Sequence, residues 1–176
     1  MSELLFYERV VPLNDVQHKD LRMSPVTAYG FSRGVNSVPV VLAELAEASR
    51  EYPIAFVKST EGGFLPVALL GLREKENLFV DAEGQWVANY IPAFVRRYPF
   101  VPANGPNGQF LVCIDADADC LRANDGQPLF NDGKPAPALE NALRYLREFH
   151  ASGLAAAAAC QRLAKLGLLR EVGTQA

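Results

Sequence analysis

Gly30-Phe31-Ser32-Arg33-Gly34 has the G-x-S-x-G spacing that holds a hydrolase serine on a sharp strand-to-helix turn beside an oxyanion hole. The context argues against that chemistry. The helix should begin directly after the serine, whereas Gly34 and Val35 intervene and Pro39 sets the next helix start near Ser37. Ser32, Asp115 and His150 stand in the chain order of a hydrolase triad, but such triplets arise by chance in most chains. Asp115, Asp117 and Asp119 alternate like the first half of a calcium loop. Cys120 then stands where the loop requires glycine, and Gly126 where it requires a bidentate glutamate. His18 and His150 are the only histidines, and neither has a cysteine or histidine at ligand spacing. No metal and no cofactor is expected. Cys113, Cys120 and Cys160 are an odd number without close spacing, which reads as reduced thiols in a cytoplasmic compartment. Cys113 falls in an apolar strand, where burial raises a thiol pKa.

The stretch 76–100, ENLFVDAEGQWVANYIPAFVRRYPF, is different in kind. It holds the sole tryptophan, Trp86, with Phe79, Tyr90, Phe94, Tyr98 and Phe100, and sets Arg96 beside Arg97 among them. Ile91, Phe94, Val95 and Tyr98 recur at helical spacing, foremost the signature of a buried face. Trp86, Tyr90, Arg96 and Arg97 fall off that stripe. Tyrosine, tryptophan and arginine are enriched at binding hot spots, and arginine pairs bidentately with carboxylates and phosphates. These residues are the candidate binding site for a protein, peptide or small anionic ligand. Successive helical residues lie about 100° apart. One arginine therefore faces a ligand while its neighbour is structural, paired with a carboxylate or capping the helix end.

The elements that must position them read as an α+β fold: a mostly antiparallel sheet, short central helices and a helical C-terminal region. Residues 4–13 supply a strand that stops near Pro12, and 21–23 and 28–31 are short extended pieces. Ser37 reads as an N-cap with Pro39 in the first turn of a helix over 40–51. Val41, Leu42, Leu45 and Ala48 share one face of it; Glu44, Glu47 and Glu51 fall away from that face. Residues 54–58 form a strand, Glu61-Gly62-Gly63 a turn and 64–72 a second strand, whose start Pro66 assigns to an edge or bulge. A third strand over 77–80 and a tight turn over 81–84 complete an antiparallel meander. A short helix over 92–98 stops at Pro99. Residues 101–109 read as a loop, 110–114 as a strand, and 124–127 and 131–135 as turns. From Ala138 the chain is helical, with a core stripe of Leu139, Ala142, Leu143, Leu146 and Phe149. Ser152-Gly153 is expected to break it before an alanine-rich helix over 154–167. That helix has an apolar side at Ala156, Cys160, Leu163 and Ala164, which a homodimer would cover. No repeat or linker is evident, so 1–176 reads as one domain.

The chain has 176 residues, 49% hydrophobic and 21% charged, enough for a folded core. Its 17 basic and 20 acidic residues give a net charge of −3, with the basic residues scattered. A nucleic-acid binder would carry a basic surplus or stripe, so no nucleic-acid partner is expected. No apolar run approaches the ~20 residues of a membrane span, and the N-terminus lacks a secretory pattern.

Several pieces, in order, resemble the SapC family of soluble bacterial proteins. They are Val11-Pro12-Leu13, Tyr29-Gly30-Phe31, Glu51-Tyr52-Pro53-Ile54-Ala55-Phe56, Leu70-Gly71-Leu72 and Glu76-Asn77-Leu78-Phe79-Val80-Asp81. Gly84-Gln85-Trp86, Tyr90-Ile91-Pro92-Ala93, Arg96-Arg97-Tyr98-Pro99-Phe100 and Gly126-Gln127-Pro128-Leu129-Phe130 continue the series. The resemblance implies no catalytic residues and no cofactor. It suggests surface-layer association or an accessory role in uptake, with a cytoplasmic location and peripheral association with the cell envelope. Family members are typically longer, so the chain reads either as a short member or as one lacking the family's C-terminal portion. Three functions stay open: a non-enzymatic binding or accessory protein, an enzyme built on Ser32, Asp115 or His150, and an interaction domain of a larger cell-surface assembly.

Overall fold

The computed structural model describes residues 5–59, 62–105, 109–122 and 125–170. In chain order the elements are β1 (Val10–Pro12), β2 (Arg22–Met23), β3 (Ser37–Pro39), α1 (Leu45–Ala48), β4 (Ile54–Lys58) and β5 (Phe64–Leu69). There follow α2 (Ala93–Arg96), β6 (Phe100–Asn104), β7 (Phe110–Asp115), β8 (Gln127–Pro128), β9 (Phe130–Asn131), β10 (Lys134–Pro135) and α3 (Pro137–Lys165). Every strand pairing is antiparallel, and the α+β expectation holds. The chain packs as two compact units, one of 1–6, 28–96 and 151–176, the other of 7–27 and 97–150.

The first unit is built on a sheet of order β3-β5-β4. The β4–β5 hairpin forms as expected, its described turn residues Gly62 and Gly63 both at positive φ. Glu61 lies outside the described residues. The third strand shrinks to a single Val80–Trp86 bridge around a turn in which the Gln85 and Gly84 amides bond Asp81. Its place in the sheet goes to β3, where a helix start had been expected. The reason lies at Pro39. In the β3–β5 register its nitrogen faces the open edge, where no sheet bond is lost. Pro66 is accommodated similarly: its nitrogen points toward β3's side at the level where β3 has already ended, while its carbonyl accepts the Val40 amide. The expected helix over 40–51 contracts to a 3-10 turn at Leu42–Glu44 followed by α1. Residues 28–31, expected to be extended, lead into a 3-10 turn at Gly30–Ser32. Gly71 cannot be replaced cheaply, because a Cβ there would run into the Glu76 carbonyl.

The second unit carries the sheet β1-β7-β6 and the pair β2–β8. Phe100, Ile114, Leu121, Leu129, Leu139 and Leu146 form its buried centre. The expected loop over 101–109 is largely strand β6, and 106–108 lie outside the described residues. The reason is again a proline: Pro102 faces outward from an edge strand. Residues 131–135 form a hairpin turn in which Asp132 and Gly133 both take positive φ, the pairing that two-residue hairpins favour. Asn124 lies outside the described residues. In the long helix the Leu139 and Leu146 stripe is buried as expected. The expected break at Ser152-Gly153 does not occur; α3 is continuous from Pro137 to Lys165. One glycine costs about 1 kcal/mol in a helix, and the alanines that follow favour continuation. Within the first unit the Ser152 hydroxyl also accepts the Ala43 amide at 2.9 Å. On the alanine-rich side expected to meet a second copy, Ala156 and Cys160 are buried within this chain, Leu163 is half-buried and Ala164 is exposed.

Candidate functional site

Around α2 in the first unit, Trp86, Tyr90 and Arg96 join one network of rings and hydrogen bonds. Trp86 is half-buried, stacked on Phe79 at 6.3 Å between centroids and edge-on to Tyr29 at 5.8 Å. Its indole N–H donates to the Tyr52 hydroxyl at 2.9 Å, and Tyr52 donates in turn to the Tyr90 carbonyl. The Tyr90 hydroxyl donates to Glu44 Oε2 at 2.8 Å and accepts from Arg96 Nη2 at 3.0 Å. Arg96 is exposed; its Nε donates to the Ile91 carbonyl at 2.9 Å and its guanidinium lies over the Tyr90 ring, 5.4 Å from the centroid. Loss of water and the bond to Glu44 push the Tyr90 phenol up to about 12. Burial likewise raises Tyr52 to about 12, against the Trp86 hydrogen bond. Both phenols are therefore neutral donors at ordinary pH.

Glu44 was expected on the solvent side, yet it is only 5% exposed. Its carboxylate accepts the Val41 amide at 2.9 Å and the Ala93 amide at 2.7 Å in addition to Tyr90. The bond to Val41 is half of a capping box: the glutamate three residues past an N-cap reaches back to it. Placing the helix start at Ser37 hid that signal. Tyr52 was missed for a different reason, since it reads as an ordinary residue before Pro53.

Arg97 does not share this surface. It is 3% exposed, in the second unit, with Nε donating to the Tyr7 hydroxyl at 3.1 Å. Its guanidinium lies over the Tyr7 ring at 5.6 Å and over the Phe149 ring at 5.1 Å. Of the two arginines, of which one was expected to be structural, Arg97 is the interior one, and burial lowers its pKa.

The weaker candidates are occupied structurally. Ser32 is fully buried and its hydroxyl donates to the Tyr29 carbonyl at 2.8 Å, on a 3-10 turn and not a nucleophile elbow. Asp115 is 1% exposed and accepts the Glu8 and Arg9 amides at 2.9 and 3.0 Å. Asp117 holds the Arg9 guanidinium through both oxygens. The His150 ring leans on Phe110, and His18 Nδ1 takes the Asn14 amide. Burial raises all three thiols, Cys120 to about 11. Among the described residues no group of three or more His, Cys, Asp or Glu is placed to hold a metal ion, and no helix is long and apolar enough to cross a membrane.

The model of the SapC family matches residues 13–176. The chain belongs to the SapC family. It matches no curated protein and no solved structure. Within this SapC chain the pieces that carry the resemblance include both halves of the network. Tyr52 lies in EYPIAF, Trp86 in GQW and Tyr90 in YIPA, while the Arg96-Arg97 pair lies in RRYPF.

Proposed function

We propose that this SapC chain is a non-enzymatic binding or accessory protein, and that the surface at Trp86, Tyr90 and Arg96 holds a protein, peptide or small anionic ligand. The observation that carries the reading is the exposed Arg96 guanidinium, already oriented by the Ile91 carbonyl and the Tyr90 ring and hydroxyl. A pre-oriented arginine loses less entropy on meeting a carboxylate or phosphate, and the aromatic cluster beside it offers stiff contact area. Arg97 serves from the interior as an anchor. Surface-layer or uptake association, with a cytoplasmic protein bound peripherally to the envelope, fits this role. Unpaired cysteines with raised pKa values suit a reducing compartment.

Trp86 is the only tryptophan, so its emission reports on the site alone. Partners captured from source cells on the wild-type chain are to be purified and titrated against wild type and Arg96→Ala by Trp86 fluorescence. The reading expects a saturable change with wild type that weakens about tenfold or more in Arg96→Ala, the loss of one charge-assisted bond. A partner bound equally well by the variant would remove it.

A further inference from the structure

A second exposed arginine stands at the other end of the Trp86 network. Arg33 follows the 3-10 turn at Gly30–Ser32, and its Nη2 donates to the Asp81 carbonyl at 2.7 Å and the Ala82 carbonyl at 3.2 Å. Those carbonyls belong to the turn that precedes Trp86, and the Gly84 carbonyl of the same turn takes the Tyr29 amide at 2.7 Å. Tyr29 is the ring set edge-on to Trp86. From Trp86 the contacts run on through Tyr52 to the Tyr90 carbonyl, and Tyr90 meets Arg96. The network thus carries an arginine at each end, each oriented by carbonyls of its own: Asp81 and Ala82 for Arg33, Ile91 for Arg96.

The two signs of charge are treated unequally here. Glu44 accepts from Val41, Ala93 and Tyr90, Asp81 Oδ1 accepts the Gln85 amide, and Glu51 accepts from the backbone and side-chain amides of Asn89. Elsewhere Arg9, Arg50, Arg73 and Arg122 each pair with a carboxylate. Arg33 does not: among the described residues its guanidinium bonds the two carbonyls and nothing else. Carbonyls hold it in place without neutralising it, so its charge is presented to a group from outside the chain.

We propose that Arg33 is a second anion contact of the surface at Trp86, Tyr90 and Arg96, and that this surface takes an acidic peptide through two separated carboxylates. The inference rests on the ligand surface proposed above and adds to it a residue and a ligand class. One carboxylate fills one arginine fork. Two forks fixed on different carbonyls call for two groups, and the rings between them offer contact area to the chain that joins those groups. In an extended peptide, side chains on one face recur about every 7 Å, so a run of acidic residues supplies a carboxylate to each fork. The chain itself is net negative, at −3, so the attraction is local to these arginines.

Hexaglutamate titrated against the full chain at low salt, with Trp86 emission as the readout, tests this. Wild type should show a saturable change. Arg33→Gln, which removes the charge but keeps a polar side chain, should weaken binding about tenfold, as should Arg96→Ala, and the double variant should abolish it. Arg162→Gln changes the net charge by the same amount at an exposed position of α3 and should bind as wild type does. Circular dichroism checks that each variant is folded. Wild-type affinity in folded Arg33→Gln beside a weakened Arg96→Ala would overturn this inference and leave the ligand surface standing. An equal loss in Arg162→Gln would reduce the effect to overall charge and overturn it as well. A wild type that shows no saturable change with hexaglutamate would rule out the acidic peptide, whereas the ligand surface itself falls only if a captured partner binds Arg96→Ala as tightly as wild type.

Discussion

Arg96 and Arg97 are neighbours in sequence, and each meets a tyrosine hydroxyl, yet the two tyrosines lead to different places. Tyr7 accepts from Arg97 and donates to the Phe100 carbonyl, so the second unit's pair is tied to backbone in the interior, with the guanidinium over the Phe149 ring. Tyr90 accepts from Arg96 and donates to Glu44, so the first unit's pair ends on a buried carboxylate while the arginine stays in solvent. Arg96 is the last residue of α2 and Arg97 the first of the turn that follows, one exposed and the other buried. The same Arg–Tyr pairing is buried in one region and exposed in the other. Burial, not residue type, tells them apart.

Each unit also buries one carboxylate among backbone amides, and removing these should produce the largest effects. Asp115→Ala leaves the Glu8, Arg9 and Asp117 amides without their acceptor and should cost about 3 kcal/mol in urea unfolding. Glu44→Ala strips Val41, Ala93 and Tyr90 in the same way. A cost of about 2 kcal/mol is expected, because Tyr90 is half-exposed and water replaces part of what it loses. A Glu44→Ala chain as stable as wild type would mean that the network under Arg96 is incidental. Tyr52→Phe is milder. It removes the acceptor for Trp86 and the donor to Tyr90, and should cost about 1 kcal/mol while shifting Trp86 emission. An unchanged emission spectrum would disconnect Trp86 from the tyrosines.

The smallest effect appears only in alkali. Tyr52 and Tyr90 ionise near 10.0 when unfolded and near 12 in the folded chain. The folded state holds the protons longer, so the stability they contribute is full below pH 10 and is lost as pH rises through about 12. Burial also raises Tyr7 and Tyr98, so tyrosinate absorbance should show several late-titrating phenols, one fewer in each of Tyr52→Phe and Tyr90→Phe. Titration of every phenol near the ordinary value would contradict the network.

Much of this architecture was legible in the residues. The β4–β5 hairpin, the Asp132-Gly133 turn and the stripe of α3 follow from period and turn chemistry. The failures share a cause in the prolines. Pro39 and Pro102 argued locally against strands, but each faces outward from an edge, a fact that only the tertiary register reveals. Gly153 argued for a break that packing and neighbouring alanines override. At the site, Trp86, Tyr90 and Arg96 stood out by type. Glu44 did not, because its role depends on a cap at Val41 that the misplaced helix start concealed. A split between the arginines was expected from helix geometry, but Arg97 lies past the end of α2, and which of them is buried was not readable from spacing.

The central claim is that split, and paired urea unfolding of Arg96→Ala and Arg97→Ala tests it most directly. The account predicts a loss of about 3 kcal/mol for Arg97→Ala, which empties a buried site between two rings. For Arg96→Ala it predicts a change within about 0.5 kcal/mol, as for an exposed side chain. Equal losses, or a larger loss for Arg96→Ala, would contradict it.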